Sequence, residues 1–201
     1  MPTQNHWDAA IRVLKYLSGK IDEGLYYCHT HSGSDEIEIR LVTYSDANWA
    51  DSSDRKSTSG LTIQLITRGE DPENINGNVL SYYSKRQSCV ALSSTEAEYI
   101  ALSRAAQTLS WLRRLLDQLG FGDPGPTQVF GDNTSSLDIA EGEGLTQRTK
   151  HIDVRHHYIR DKVGDKTLEL AHIPTEAMIA DMFTKALPGP QFGELKRRIM
   201  R

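Results

Sequence analysis

Cysteine is scarce in this 201-residue chain: Cys28 and Cys89 are its two. Two thiols make no disulfide framework and no zinc knuckle, which fits a reducing compartment and leaves stability to packing. Long apolar runs are missing as well. None approaches the roughly 20 residues that span a bilayer, and the N-terminus lacks the basic, apolar, small-residue order of a secretory leader. The expectation is an intracellular, cytoplasmic chain with no membrane partner. An excess of positive charge is also absent, since 23 Lys and Arg stand against 27 Asp and Glu for a net charge of −4. That balance excludes a protein coated in nucleic acid on every side but allows a local basic track beside an acidic site. Lys85-Arg86, Arg113-Arg114, Arg148 to Lys150, Arg155, Arg160 and Lys196 to Arg198 are candidates for it, most of them ordinary solvated positions.

What is present suits one domain, or one domain with an appendage, since 38% of the residues are hydrophobic and 201 residues can bury a core. Trp7, Ile11, Leu14 and Leu17 recur at steps of four and three, one face of a helix that Gly19 stops. A strand-like piece, Leu25 to Cys28, and a polar loop from Thr30 to Glu36 follow, so residues 1–36 are expected to form an appendage and 37–190 the main domain. Leu41 to Tyr44 are apolar or β-branched on both faces, as in a central strand, and run into Asp46 where the strand should stop. Alone, Asp46-Ala47-Asn48 reads as a turn. Leu61, Ile63 and Leu65 alternate as a half-buried strand, residues 68–78 make a polar loop, and Val79 to Ser84 complete a three-stranded antiparallel meander.

Ser93-Ser94-Thr95 ahead of Glu96 and Glu98 is a helix N-terminus, and the helix runs to Leu119 before Gly120. Its two glutamates differ by period. Glu98 lies four residues before Leu102 and shares the core face, whereas Glu96 is set back roughly 200° around the helix at about 100° per residue. A carboxylate aimed at a core needs a cation or a partner, while capping and the dipole account for Glu96. Thr127 to Asp132 is a further strand ending in an acid, which could serve as N-cap for the helix that Asn133 opens. A helix over roughly Lys150 to Val163 carries His151, His156 and His157, which lack partners at zinc spacing and fit a structural or substrate-facing role better. Thr167 to Ile173 forms the last strand, with His172 near its end. Pro174-Thr175 then opens a final helix that carries Asp181 and ends at Pro188 and Pro190, and residues 191–201 close the chain as a basic tail.

Asp46, Glu98, Asp132 and Asp181 would converge at one rim of the sheet if the strands leading to Asp46 and Asp132 are neighbours. Four carboxylates can share so small a space when divalent cations neutralise them, and hard Mg²⁺ prefers oxygen ligands. Two such ions about 3.5 to 4 Å apart suit in-line attack of water on a phosphodiester.

The stretches YSDANWADSSDRKSTSG (44–60), SYYSKRQSCVALSSTEAEYIALSRAA (81–106), FGDNTSS (130–136), RTKHIDVRHHYIRD (148–161) and IPTEAMIADMFTKALP (173–188) resemble the ribonuclease H domain of Ty1/copia-type retrotransposon polyproteins. His6-Trp7 with RVLKYLSGK (12–20) is similar to the end of the connection region that precedes it. The resemblance implies an α/β fold of ribonuclease H type, with a five-stranded mixed sheet whose first three strands are antiparallel, flanked by helices. It implies cleavage of the RNA strand of an RNA/DNA hybrid to 3′-hydroxyl and 5′-phosphate ends, with two Mg²⁺ ions that Mn²⁺ could replace. Asp46 matches the acid that bridges both metals, Glu98 the helical glutamate, Asp132 the third acid and Asp181 the last. Glu96 is the alternative second acid, and His172 resembles a histidine that assists metal exchange and product departure. Hybrid contacts through phosphates and 2′-hydroxyls are expected at Ser84, Lys85, Arg86, Gln87, Ser94, Thr95 and Asn133. Nothing resembles a polymerase site, so the implied partner is an upstream reverse-transcriptase polymerase domain of the same polyprotein, working inside virus-like particles. The 68–78 loop departs from the family's tight hairpin. Other readings are a non-catalytic module that tethers the hybrid, and a DNA strand-transfer enzyme of related fold.

Overall fold

The computed structural model describes residues 1–27, 39–51, 53–67, 77–123, 125–142 and 153–200, with the side chains of 153–157 left aside. The expectations placed on Cys28, on the 30–36 loop, on residues 68–76 and on the side chains of His151, His156 and His157 lie outside these described residues. Among the described residues no helix is long and apolar enough to cross a membrane.

Five strands form one sheet: β1 (Ile39–Asn48), β2 (Thr58–Thr67), β3 (Asn78–Arg86), β4 (Thr127–Gly131) and β5 (Leu168–His172). Their order is β3-β2-β1-β4-β5. The first three are antiparallel, and β4 joins β1 in parallel, as does β5 to β4. This is the mixed sheet expected from sequence. β1 lies at its centre because its side chains are apolar or small toward both faces, and every residue from Leu41 to Ala47 is buried.

Helices α2 (Ser94–Gln118), α3 (Thr134–Glu141) and α4 (Asp153–Gly164) follow β3, β4 and the undescribed 143–152 segment. They cover one face, where Leu102 and Leu109 of α2 meet Leu61, Ile63, Val129, Leu137 and Ile159. Each fully buried leucine there contributes about 1.5–3 kcal/mol. Ser93 caps α2 by accepting from the Glu96 N–H at 3.1 Å, and Gly120 past its end adopts φ 84°, the left-handed turn that stops the helix.

The opposite face of the sheet differs from expectation. Two 3₁₀ turns, Thr175–Ala177 and Ile179–Phe183, replace the expected final helix. Met178, Ile179 and Ala180 pack on Val42, Tyr44, Phe130 and Ile173, so tertiary burial, and not a helical stripe, sets this segment's path. Part of the basic C-terminal segment is helical. Gly189–Arg197 form α5, with Pro188 as its N-cap and Leu195 buried. Prolines expected to end a helix start one, because a fixed φ and a missing N–H are harmless in a first turn.

Helix α1 (Gln4–Ser18) forms as its spacing requires, yet buries no residue. The stretch after it touches the domain at a few points. Leu25 makes an isolated antiparallel bridge to Met200, Glu23 pairs with Lys196, and the Tyr27 hydroxyl donates to the Val79 carbonyl at 2.9 Å. The expected strand at Leu25 to Cys28 is reduced to that one bridge among the described residues.

Candidate active site

Strand register places the first two acids. Tyr44 of β1 pairs with Phe130 of β4, and their rings stack 5.4 Å apart. Since side chains alternate, two residues onward Asp46 and Asp132 leave the same face of neighbouring parallel strands. Asp46 does not end β1 as expected. The strand continues to Asn48, and Asp46 sits within it opposite Gly60, fully buried. Asp132 follows the last residue of β4, and Asn133, not Asp132, caps α3 by accepting from the Ser136 N–H at 3.0 Å. The Asp132 carboxylate is thereby left to the site, where its Oδ2 accepts from the Thr175 hydroxyl at 3.0 Å.

Glu98 arrives from the first turns of α2. Asp46, Glu98 and Asp132 each offer an oxygen within 4.8 Å of the others. Glu96 turns elsewhere, its Oε2 accepting from the Leu92 N–H at 2.7 Å, so the two glutamates divide as their helical phase requires. Burial first, then the charges of Asp46 and Asp132, push the Glu98 carboxyl up to about 10, against a bond from the Ala47 N–H that favours its anion. The cluster therefore holds more negative charge than its surroundings compensate. Hard oxygen donors so close, one of them forced to keep its proton, fit a divalent cation.

Asp181, in the second 3₁₀ turn, approaches Asp46 from the other side. Lys185 joins them: its Nζ donates to Asp181 Oδ1 at 2.8 Å and reaches Asp46 Oδ1 at 3.4 Å. The Thr184 hydroxyl bonds the second Asp46 oxygen, Oδ2. Burial pushes Asp181 up to about 6, Asp46 and Asp132 add to it, and the Lys185 bond opposes it. Burial disfavours the Lys185 charge, but its bond to Asp181 and the surrounding carboxylates outweigh that and hold the ammonium above its usual range. The 3₁₀ segment can lie this close because residue 60 is glycine. A Cβ there would stand 2.7 Å from both the Ala180 carbonyl oxygen and Thr184 Cγ2.

His172 is exposed at the end of β5 and pairs through its backbone with Gly131, the neighbour of Asp132. The expected hybrid contacts fall into two groups. Ser84 and Lys85 are exposed on the end of β3 and Ser94 at the start of α2, with Thr95 half-buried. Arg86 pairs with Asp54, Gln87 is buried with its amide nitrogen donating to Ser59 Oγ and the Ala97 carbonyl at 2.9 Å, and the Asn133 side chain is engaged in its cap. Beside them, between β3 and α2, lies a cavity of about 280 Å³ lined by Lys85, Arg86, Ser103, Arg104 and Gln107. Sequence reasoning missed Arg104, Thr175, Thr184 and Lys185. The spacing of Lys185, four residues after Asp181, was the one available signal.

No protein-family model matches the chain. It is 38% identical over 192 residues to the "Retrovirus-related Pol polyprotein from transposon TNT 1-94" of Nicotiana tabacum, a match covering 95% of this chain and 13% of that polyprotein. Identity to the Pol polyprotein from transposon RE2 of Arabidopsis thaliana is 34% over 200 residues, 99% of this chain and 13% of the relative. The chain thus spans a small part of the length of these relatives. Among solved structures, the N-terminal RNase H domain of a Mycobacterium tuberculosis protein, determined as a fusion with maltose-binding protein, superposes with a TM-score of 0.50. That match covers 79% of this chain and 97% of the other at 10% identity, so the likeness is one of fold.

Proposed function

We propose, from the premise that this chain belongs with the Ty1/copia-type retrotransposon Pol polyproteins and carries a ribonuclease H fold, that it cuts the RNA strand of RNA/DNA hybrids. The observation that carries the proposal is the meeting of Asp46, Glu98 and Asp132 within 4.8 Å, with Asp181 tied to the same Asp46. Asp46 would be shared by two divalent ions, Mg²⁺ or Mn²⁺, with Asp181 on the side of the attacking water and Glu98 and Asp132 on the other. Bound there, the ions supply activation of water and stabilisation of the departing oxygen. The chain's own groups position that chemistry. Thr184 and Thr175 orient the Asp46 and Asp132 carboxylates, and the burial of Asp46 in β1 limits water around it.

Ser84, Lys85, Arg86 and Gln87 with Ser94, Thr95 and Asn133 are the proposed contacts to the hybrid backbone, the exposed Lys85 having the most freedom to meet a phosphate. His172 is proposed to assist departure of metal and product from the rim near Asp132. The partner is proposed to be a polymerase domain of the same polyprotein, with residues 1–36 as the connection between them, and the setting a retrotransposon particle.

The test is cleavage of an end-labelled RNA/DNA hybrid in Mg²⁺ and Mn²⁺ by wild type and Asp46→Asn. Cleavage to 3′-hydroxyl ends by wild type and its loss in the variant are expected, and equal cleavage by both would overturn the assignment. Hybrid binding without cleavage in either metal would favour the tethering module, and activity confined to duplex DNA the strand-transfer enzyme.

A further inference from the structure

Lys185 is the one cation that touches the acids of the candidate site among the contacts described. Its ammonium is not a rim charge in loose attraction. It is within hydrogen-bond reach of Asp181 Oδ1, at 2.8 Å, and of Asp46 Oδ1, at 3.4 Å. Those carboxylates are nearly inaccessible, at 2% and 0% side-chain exposure, whereas the Lys185 side chain is 32% exposed. Asp46 has its other oxygen engaged by Thr184. The two sides of Asp46 therefore differ. Toward Glu98 and Asp132 no positive side chain intervenes among the contacts described. Toward Asp181, one ammonium already offsets part of the charge of the two carboxylates.

We propose that Lys185 is a resident counter-ion that occupies the Asp46–Asp181 side of the site and must withdraw before a divalent cation binds there. The proposal rests on the metal-site reading above. A cation on that side needs the oxygens that Lys185 bonds, so ammonium and metal compete for them. Because a third of the lysine side chain is exposed, the ammonium can rotate into solvent while the Thr184 bond keeps Asp46 in place. Lys185 is in this sense a positioning residue: it keeps two buried carboxylates paired while the metal is away and lowers the affinity of the cation that replaces it. Giving up a charged hydrogen bond of this kind weakens metal binding on that side by about tenfold to a hundredfold.

Calorimetric titration of the whole chain with Mn²⁺, in the absence of nucleic acid, tests this in wild type, Lys185→Met and Lys185→Arg. Lys185→Met is expected to bind one of its ions about tenfold to a hundredfold more tightly than wild type, and Lys185→Arg to return to the wild-type isotherm. Superimposable isotherms for wild type and Lys185→Met would overturn the proposal while leaving the metal site standing. Failure of every form to bind Mn²⁺ would remove the metal-site reading and this inference with it. Should Lys185→Met not fold, the wild-type protein serves. The Lys185 ε-methylene NMR signals are expected to move as Mg²⁺ is added, and signals unmoved at saturation would overturn the proposal.

Discussion

Helix α1 carries Trp7, Ile11, Leu14 and Leu17 along one face, and helix α2 carries Leu102, Ala105, Leu109 and Leu112 along one of its own. The second stripe is buried against the sheet, while α1 buries no residue and leaves Trp7 63%, Leu14 59% and Leu17 56% exposed. Both helices obey the same period, so period tells which face a helix can bury and not what buries it. The difference lies in attachment. α2 is capped at Ser93 and packed along β1 and β2, whereas α1 touches the domain, among the described residues, through the Tyr16 ring beneath Lys196 and through the residues after it, at Glu23, Leu25 and Tyr27. A carboxylate on α2 inherits that fixed position, which is why Glu98 can serve a site and nothing on α1 is placed to.

The sharpest test of this contrast is within α2 itself. Glu98→Gln is expected to lower hybrid cleavage by on the order of 10³-fold, about 4 kcal/mol of barrier. Glu96→Gln, two residues away but directed to the Leu92 N–H, should stay within roughly tenfold of wild type and cost about 1 kcal/mol of stability as a weakened cap. Single-turnover assays of both variants decide it, and equal losses would mean that helical phase does not select the acid.

Next in size is the packing contrast. Leu109→Ala removes a fully buried side chain and is expected to cost about 2–5 kcal/mol in urea denaturation. Leu14→Ala should change stability by no more than about 0.5 kcal/mol. A comparable loss at Leu14 would show that α1 is covered in solution.

The last contrast is in pH dependence. Glu98 is pushed up to about 10 and Asp181 to about 6 in the folded chain, from ordinary values of 4.5 and 3.8. Between about pH 4 and pH 10 the unfolded chain gives up protons that the folded chain keeps, so the contribution of these two groups to metal-free stability should be full below about pH 4 and fall steadily as pH rises toward 10. Thermal melts in chelator should show this slope, and Glu98→Gln or a divalent cation should flatten it. A slope unchanged in Glu98→Gln would place its origin elsewhere.

Much of the site could be read in the chain beforehand, for physical reasons that can be named. Leu41 to Tyr44 are suited to burial on both faces, which marks a central strand, and the phase of α2 separates Glu98 from Glu96. Asp132 was legible as a strand-end acid, though its freedom from capping depended on Asn133 taking that role. The segment around Asp181 was not legible as folded. Its 3₁₀ turns carry no period of their own and follow from burial of Met178, Ile179 and Ala180 against strands more than 40 residues earlier. Pro188 and Pro190 read as stops, and burial of Leu195, which no local pattern announces, makes them the start of a helix instead. Thr184 and Lys185 gain their meaning from Asp46, far away in sequence, so no local window could reveal it.

That distance has a consequence in time. The Thr184–Asp46 bond spans 138 residues and the Lys185–Asp46 contact 139, and contacts of such separation close late in folding because long loops must first be drawn together. As the chain leaves the ribosome, β1 and β2 can pair long before residue 184 exists. Asp46 is therefore made early and completed last, and a chain interrupted before the second 3₁₀ turn has most of its sheet but an unfinished acid cluster.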